Sequence, residues 1–187
     1  YPLSSSISRE YFPAGFIFRP HIQALKNTLN FYTNLSEHYA YSSSLGDKAT
    51  QEMNLISIPS IFYGSSIKKG SVDLKFYISG SLIGELQDYN QNGELIQVGP
   101  SGSTGSGSVA GVVLYNEGFI LLTGSWGLED GIARNYLDDL TNLQTSSWIN
   151  YAVGANDGIP SGIIPSSSYN MEFNGTNYIP TLTLLAH

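Results

Sequence analysis

The sequence predicts a mainly β fold, an antiparallel sandwich-like or meander module with one or two short helices. From Asn54 to Val98 the chain is a series of short runs rich in branched and aromatic residues: Leu55 to Tyr63, Val72 to Ile78, Ser81 to Gln87 and Glu94 to Val98. Gly64, Gly70, Gly80 and Asn92-Gly93 punctuate them, and Asn-Gly is the strongest short hairpin signal because both residues tolerate positive φ. Helical spacing of apolar residues occurs in only two places.

Residues 1–18 combine Pro2, Pro13 and a Ser cluster with Tyr1, Tyr11, Phe12, Phe16 and Phe18. Two prolines and that cluster oppose a self-contained helix or hairpin, so an extended arm is predicted. Five aromatic rings are too many to leave in water, and Tyr1, Tyr11, Phe12, Phe16 and Phe18 are the candidate interface residues, expected to dock on a neighbouring subunit. Residues 19–187 are expected to form one domain, a size that buries a core without staples. Pro20 can open a helix at no hydrogen-bond cost, and Ile22, Leu25, Leu29 and Tyr32 then recur at spacings of three and four, so a helix is predicted over 20–35.

Beyond the meander, the stretch 99–108 is Gly, Ser, Thr and one Pro, with no side chain to anchor a core, and reads as a flexible loop. Val109 to Tyr115 and Phe119 to Thr123 are near-continuous apolar runs around Asn116-Glu117-Gly118, as expected of strands buried on both faces at the centre of the core. Asp130 is placed to cap a second helix through Ile132, Tyr136, Leu137, Leu140 and Leu143. Two further strands are predicted near Tyr169 to Phe173 and Tyr178 to Leu185, around Asn174-Gly175. The start at Tyr1 and the end at His187, behind an alternating apolar stretch, are expected of a segment cut from a longer or processed polypeptide, and equally of a trimmed chain.

Charged residues are only 12% of the chain, about half the usual share. The net charge of -7 is unevenly spread: residues 1–75 carry seven cations and five acids, and the remainder one cation against ten acids. So acidic a half repels phosphate, and no nucleic-acid partner is expected. No apolar run approaches the roughly 20 residues that span a bilayer, and the start lacks the basic flank of a signal peptide, so no membrane insertion is expected. Without Cys there are no disulfides or thiolate sites.

No catalytic, cofactor-binding or metal residues are assigned. Asp88, Asn90, Asn92 and Gly93 match the opening of a calcium loop, but its twelfth position is Gly99 where a bidentate Glu is needed, so a polar turn is expected. The Gly-rich loop lacks the Lys of a phosphate loop. Gly105-Ser106-Gly107 is not a nucleophile elbow, and His21 and His38 are not at metal-ligand spacing. Glu129-Asp130 and Asp138-Asp139 are sequence neighbours pointing to different faces of a helix, which no acid/base dyad can use. Thirteen Tyr and two Trp suit a core, an assembly interface or a sugar-stacking platform.

The run Ile58-Pro59-Ser60-Ile61-Phe62-Tyr63-Gly64-Ser65-Ser66-Ile67-Lys68-Lys69-Gly70-Ser71-Val72 is similar to a segment that recurs in structural proteins of tailed-bacteriophage virions. There an aromatic-Tyr-Gly turn precedes an Ile-Lys-x-Gly-Ser strand start. The resemblance continues through Asn92-Gly93-Glu94-Leu95 and Gly111 to Ile120, about the middle third of the chain. It implies a β module of a virion, in tail, baseplate or neck, with copies of itself and other virion proteins as partners, and no catalytic residues. Three classes remain open: an assembly subunit, a carbohydrate-binding module of a tail fibre or adhesin that meets a surface glycan, and a hydrolase with a dispersed site.

Overall fold

Eight strands form one curled antiparallel sheet, and its two faces carry two separate apolar clusters. The structure is a computed structural model that describes residues 5–128, 133–134, 144–152, 167–179 and 181. In chain order its elements are β1 (Ser8–Phe12), α1 (Pro20–Ala24), α2 (Lys26–Phe31), β2 (Ser42–Ser43), β3 (Gly46–Asp47), β4 (Met53–Ser57), β5 (Ser66–Ile67) and β6 (Asp73–Ile78). They continue with β7 (Ser81–Gln87), β8 (Glu94–Gly99), β9 (Val109–Leu114), β10 (Phe119–Leu122), β11 (Ala133–Arg134), β12 (Gln144–Thr145), β13 (Ser167–Glu172) and β14 (Gly175–Thr176). The large sheet has the order β1-β4-β10-β9-β8-β7-β6-β13, while β2 with β3, β5 with β14 and β11 with β12 make two-stranded ribbons.

From β6 to β10 the sheet is the predicted meander. Ser79 and Gly80, both at positive φ, join β6 to β7 with Ile78 opposite Ser81, which is the twist-matching two-residue turn. Asn92-Gly93 is not such a turn. The connection from β7 to β8 is longer, with Gln91 and Gly93 at positive φ, and a Cβ on Gly93 would stand 1.7 Å from the Tyr39 hydroxyl. Tyr39 passes across this position to donate to the Val113 carbonyl at 2.5 Å, so glycine is required by close approach as well as by backbone angle.

Burial follows the strand period. In β6, Leu74, Phe76 and Ile78 are buried and alternate with Asp73, Lys75 and Tyr77, so one face is wet. In β9 and β10 both faces are covered: Val113, Ile120 and Leu122 point into the concave cluster, and Val112, Leu114 and Leu121 into the other. The central position expected for this pair is the one observed. The second cluster is closed by the helical segment. Ile22, Leu25 and Leu29 pack there with Phe12, Met53 and Leu55, and Tyr32 lies against it. The helix starts at Pro20 as the sequence indicates, but Leu25 divides it into α1 and α2, and a 3-10 turn, Tyr32–Asn34, follows.

The concave side is filled by a second pass of the chain, the 3-10 turn Trp148–Asn150 and Tyr151. Trp148, Tyr151, Phe76 and Tyr169 form one aromatic group with ring centroids 4.9–6.2 Å apart. Gln97, buried in β8, anchors it: its Oε1 accepts from the indole N–H of Trp148 at 2.9 Å and of Trp126 at 2.8 Å. Its Nε2 donates to Ser103 Oγ and the Thr104 carbonyl. The loop 99–108 is therefore a folded turn and not a linker. Its own hydrogen bonds, Ser103 to Pro100, Ser106 to Ser103 and Ser108 to Gly105, add to those from Gln97.

Four expectations need correction or placing. Residues 8–12 of the predicted arm are the edge strand β1, paired with β4 from Ser8 opposite Ser57 to Phe12 opposite Met53. Prolines and serines prevent a local hairpin, yet they do not prevent pairing with a strand some 40 residues away, so removing 1–18 would strip the sheet of an edge. The run Leu55 to Tyr63 stops as a strand at Ser57, because Pro59 turns the chain into the 3-10 turn Ser60–Phe62. At Ala133 and Arg134 the chain is strand β11 and not helix; the remainder of that predicted helix, Asp130 and Ile132 through Leu143, lies outside the described residues. Tyr178 and Ile179 are not in a strand, and most of the run to Leu185 lies outside the described residues.

Two buried charges hold loops to this frame. Asp88 Oδ2 accepts from the Gly70 amide and the Tyr115 hydroxyl, both at 2.8 Å, and Oδ1 from the Val72 amide at 2.9 Å. The first oxygen of the calcium-like motif is thus a clasp between β5 and β6. Lys48, also buried, donates from Nζ to the carbonyls of His38 and Ala40. Burial lowers its pKa to about 8, only partly opposed by Asp47. An unfolded chain binds that proton up to about pH 10.5 and the folded one only to about 8, so stability rises with pH across this window. Above pH 10 the trend reverses, because burial holds the hydroxyls of Tyr39, Tyr115 and Tyr151 protonated beyond the ordinary tyrosine range. Urea unfolding between pH 7 and pH 9, below the onset of tyrosine ionisation in the unfolded chain, should show a gain of about 1 kcal/mol in the native chain. K48M should flatten it, and an equal rise in K48M would show that Lys48 is not its source.

Candidate interaction surface

Arg19 builds the most distinctive surface of the molecule from within. Its guanidinium is fully buried and donates to five main-chain carbonyls: Pro13 at 2.7 Å, Phe16 at 2.5 Å, Lys48 at 3.2 Å, Thr50 at 3.0 Å and Gln51 at 2.5 Å. Burial pushes its pKa down, yet a guanidinium remains charged, and five fixed donors meet five acceptors. The segment between β1 and α1 is thereby tied to the loop that precedes β4. With its backbone so held, this segment turns Phe16, Ile17 and Phe18 outward, 46%, 74% and 70% exposed. Monomeric proteins rarely fix three neighbouring large apolar side chains in water without use for them.

The two edges of the curled sheet meet a common opening. Ile7, Ser8 and Arg9 at the start of β1 and Tyr169 and Met171 of β13 line a cavity of about 310 Å³, whose floor is Ile56 and Tyr151. Its lining is largely apolar, with the almost buried Arg9 as a polar member whose Nη2 donates to the Ile149 carbonyl. Asn54 reaches into the same interior and donates to the Tyr151 carbonyl at 2.9 Å. At the other side of β13 a polar groove of about 240 Å³ runs between Gly70, Ser71, Asp73, Gln87 and Glu172, flanked by Tyr89. Lys75 lies 3.2 Å from Asp73 and 3.6 Å from Glu85 beside it.

A third apolar area is made by Ile61, Phe62, Tyr178 and Ile179, all exposed. The two segments come together because Thr176 pairs with Ser66 and the Tyr178 amide donates to Ser65 Oγ. The resemblance-bearing run Ile58 to Val72 contributes half of this area and places Tyr63 and Ile67 in the core.

The five candidate interface residues separate. Phe12 belongs to the core and is corrected: its position opposite Met53 turns it onto the helical side of the sheet. Tyr11 is partly exposed and donates to Glu52, with Arg9 above its ring. Phe16 and Phe18 stand in water, and Tyr1 lies outside the described residues. Ile17, Ile61, Phe62 and the Arg19 clamp escaped the sequence reading. Aromatic content drew attention to the rings, and nothing in a lone Arg before a Pro tells that it will be buried.

His21 Nδ1 pairs with Glu10 at 2.5 Å on the surface, and burial lowers the pKa of His38. Among the described residues no hydrogen bond joins a His ring to a Ser hydroxyl, and no three His, Cys, Asp or Glu side chains converge as metal ligands. No described helix is long and apolar enough to cross a membrane. No family model matches the chain, and no curated protein or solved structure matches it either.

Proposed function

We propose that this chain is a structural module that makes subunit contacts in a symmetric assembly, in the setting of a tailed-phage virion. The observation that carries the assembly role is the outward Phe16-Ile17-Phe18 segment fixed by the buried Arg19. A surface ordered before binding loses little entropy on contact, so its apolar burial counts toward association. The low share of charged residues and the further apolar area at Ile61, Phe62, Tyr178 and Ile179 support the same role. The virion setting rests on the resemblance of Ile58 to Val72 and the runs after it. Light scattering on the full chain across a concentration range should give one discrete oligomer, and a chain that stays monomeric up to its solubility limit would remove the proposal.

A glycan-binding role is favoured by one observation, the 57% exposed Tyr89 beside the groove of Asp73, Gln87 and Glu172. An aromatic face beside acceptor groups is what a pyranose contacts. A glycan array read with the native chain and Tyr89→Ala distinguishes the two roles: signal lost in the variant supports this one, and an empty array rejects it.

A further inference from the structure

We infer that the polar groove beside Tyr89 takes a neutral, hydroxyl-rich pyranose and excludes sugars that carry carboxylate, phosphate or sulfate. This rests on the glycan-binding role set out above and names its ligand class. The register of the sheet places the polar side chains in rows. Glu172 of β13, Asp73 of β6 and Gln87 of β7 stand directly opposite one another, and Asn170, Lys75 and Glu85 form the next row on the same face. The groove that they border, about 240 Å³, is smaller than a drug-sized pocket and suits a single ring of a glycan.

Within these rows the donors are spent on the acids. Lys75 reaches Asp73 Oδ2 at 3.2 Å and Glu85 Oε1 at 3.6 Å, and Gln87 Nε2 donates to the same two oxygens at 3.3 and 3.2 Å. Asn170 Nδ2 donates to Glu172 Oε1 at 3.0 Å. The main chain at the rim is engaged as well: the Gly70 and Val72 amides donate to Asp88, and the Ser71 amide and hydroxyl to the Lys68 carbonyl. What remains for a ligand is a set of acceptors. Asp73 Oδ1, Gln87 Oε1 and Glu172 Oε2 meet no donor among the described residues. Asp73 Oδ1 is also shielded from water, so a donor brought by a ligand relieves an acceptor left unsatisfied. Ring hydroxyls are such donors, and Tyr89, 57% exposed, offers its ring to the apolar face of the same sugar. An anionic sugar would set acceptor against acceptor, and its charge against Asp73, Glu85 and Glu172 with the single ammonium of Lys75 among them.

The experiment uses the full chain as native, Y89A and E172A, on an array of neutral and acidic glycans and then by ligand-observed NMR with single methyl glycosides. The glycosides are neutral (glucose, galactose, mannose), cationic (glucosamine) and anionic (glucuronic and sialic acids). Tyr89 and Glu172 are exposed, so both variants should fold, as near-ultraviolet circular dichroism will verify. A neutral glycoside should bind the native chain, Y89A and E172A should each weaken it about tenfold or more, and the anionic pair should stay unbound. An anionic glycoside, or the cationic one alone, bound by the native chain and lost in Y89A would overturn the ligand class and leave the glycan role standing. Neutral binding undisturbed in both variants would overturn the groove as its site. An empty array with no binding across the panel would overturn the glycan role and the ligand class together.

Discussion

Gln97→Leu is expected to lower the stability of the folded chain by about 2–4 kcal/mol. The substitution keeps volume and apolar character in β8 but takes the acceptor from two indole N–H groups and the donor from two loop acceptors. Trp148 is fully buried, so its N–H would have neither water nor protein, a penalty of about 1–3 kcal/mol by itself. Trp126 is partly exposed and can recover a water bond, which keeps the sum below two full penalties. For a chain of this length the melting temperature should fall by roughly 5–12 °C. Ser103→Ala, which removes one acceptor at the loop, should cost less than about 1 kcal/mol. A Gln97→Leu loss no greater than that of Ser103→Ala would show that the aromatic group is held by packing alone.

Arg19→Met is expected to cost more, about 3–5 kcal/mol, because it leaves five carbonyls without their charged donor in a place where water is scarce. The bonds act as a unit, so their separate values do not add. Arg19→Lys should recover less than half of the loss: one ammonium nitrogen cannot reach acceptors spread around a planar fork. Denaturant unfolding measures both variants, and light scattering gives an independent readout at concentrations where they remain folded. Phe16, Ile17 and Phe18 are intact in Arg19→Lys, so weakened association there would be the mark of lost preorganisation. Undiminished association with lowered stability would confine Arg19 to the fold.

Much of the architecture was legible because it is local. The period-two pattern from Leu74 to Ile78, the hairpin at Gly80 and the start at Pro20 each depend on residues within a few positions of one another. The doubly apolar strands around Asn116 announced their place in the middle of the sheet. What escaped is long-range or polar. The partner of β1 is set by a pairing across some 40 residues, so the segment reads as an arm until β4 is placed beside it. Gln97 stands between Ile96 and Val98 in alternation, where a polar residue is ordinarily turned to water. In the fold it turns inward instead, since two indoles and a loop meet there. The loop 99–108 looked unanchored because its anchor is not in its own composition. The exposed Phe16-Ile17-Phe18 segment was half legible, since the aromatic residues could be counted but not sorted into buried Phe12 and outward Phe16 and Phe18.

The order of strands also bears on the tendency of such a chain to aggregate. The segments with the highest β-propensity and no charge, Val109–Leu114 and Phe119–Leu122, are the ones most able to stack into cross-β ladders. Both are interior strands, with each backbone edge already paired to a neighbour. Among the described residues the outermost strands of the sheet carry different residues: Arg9 and Glu10 in β1, and Asn170 and Glu172 in β13. Charge on an edge makes addition of a foreign strand unfavourable. In the proposed assembly, contacts between copies would therefore fall on side chains and not on main-chain edges, and growth by side-chain contact ends where symmetry closes, whereas growth by strand addition has no natural end.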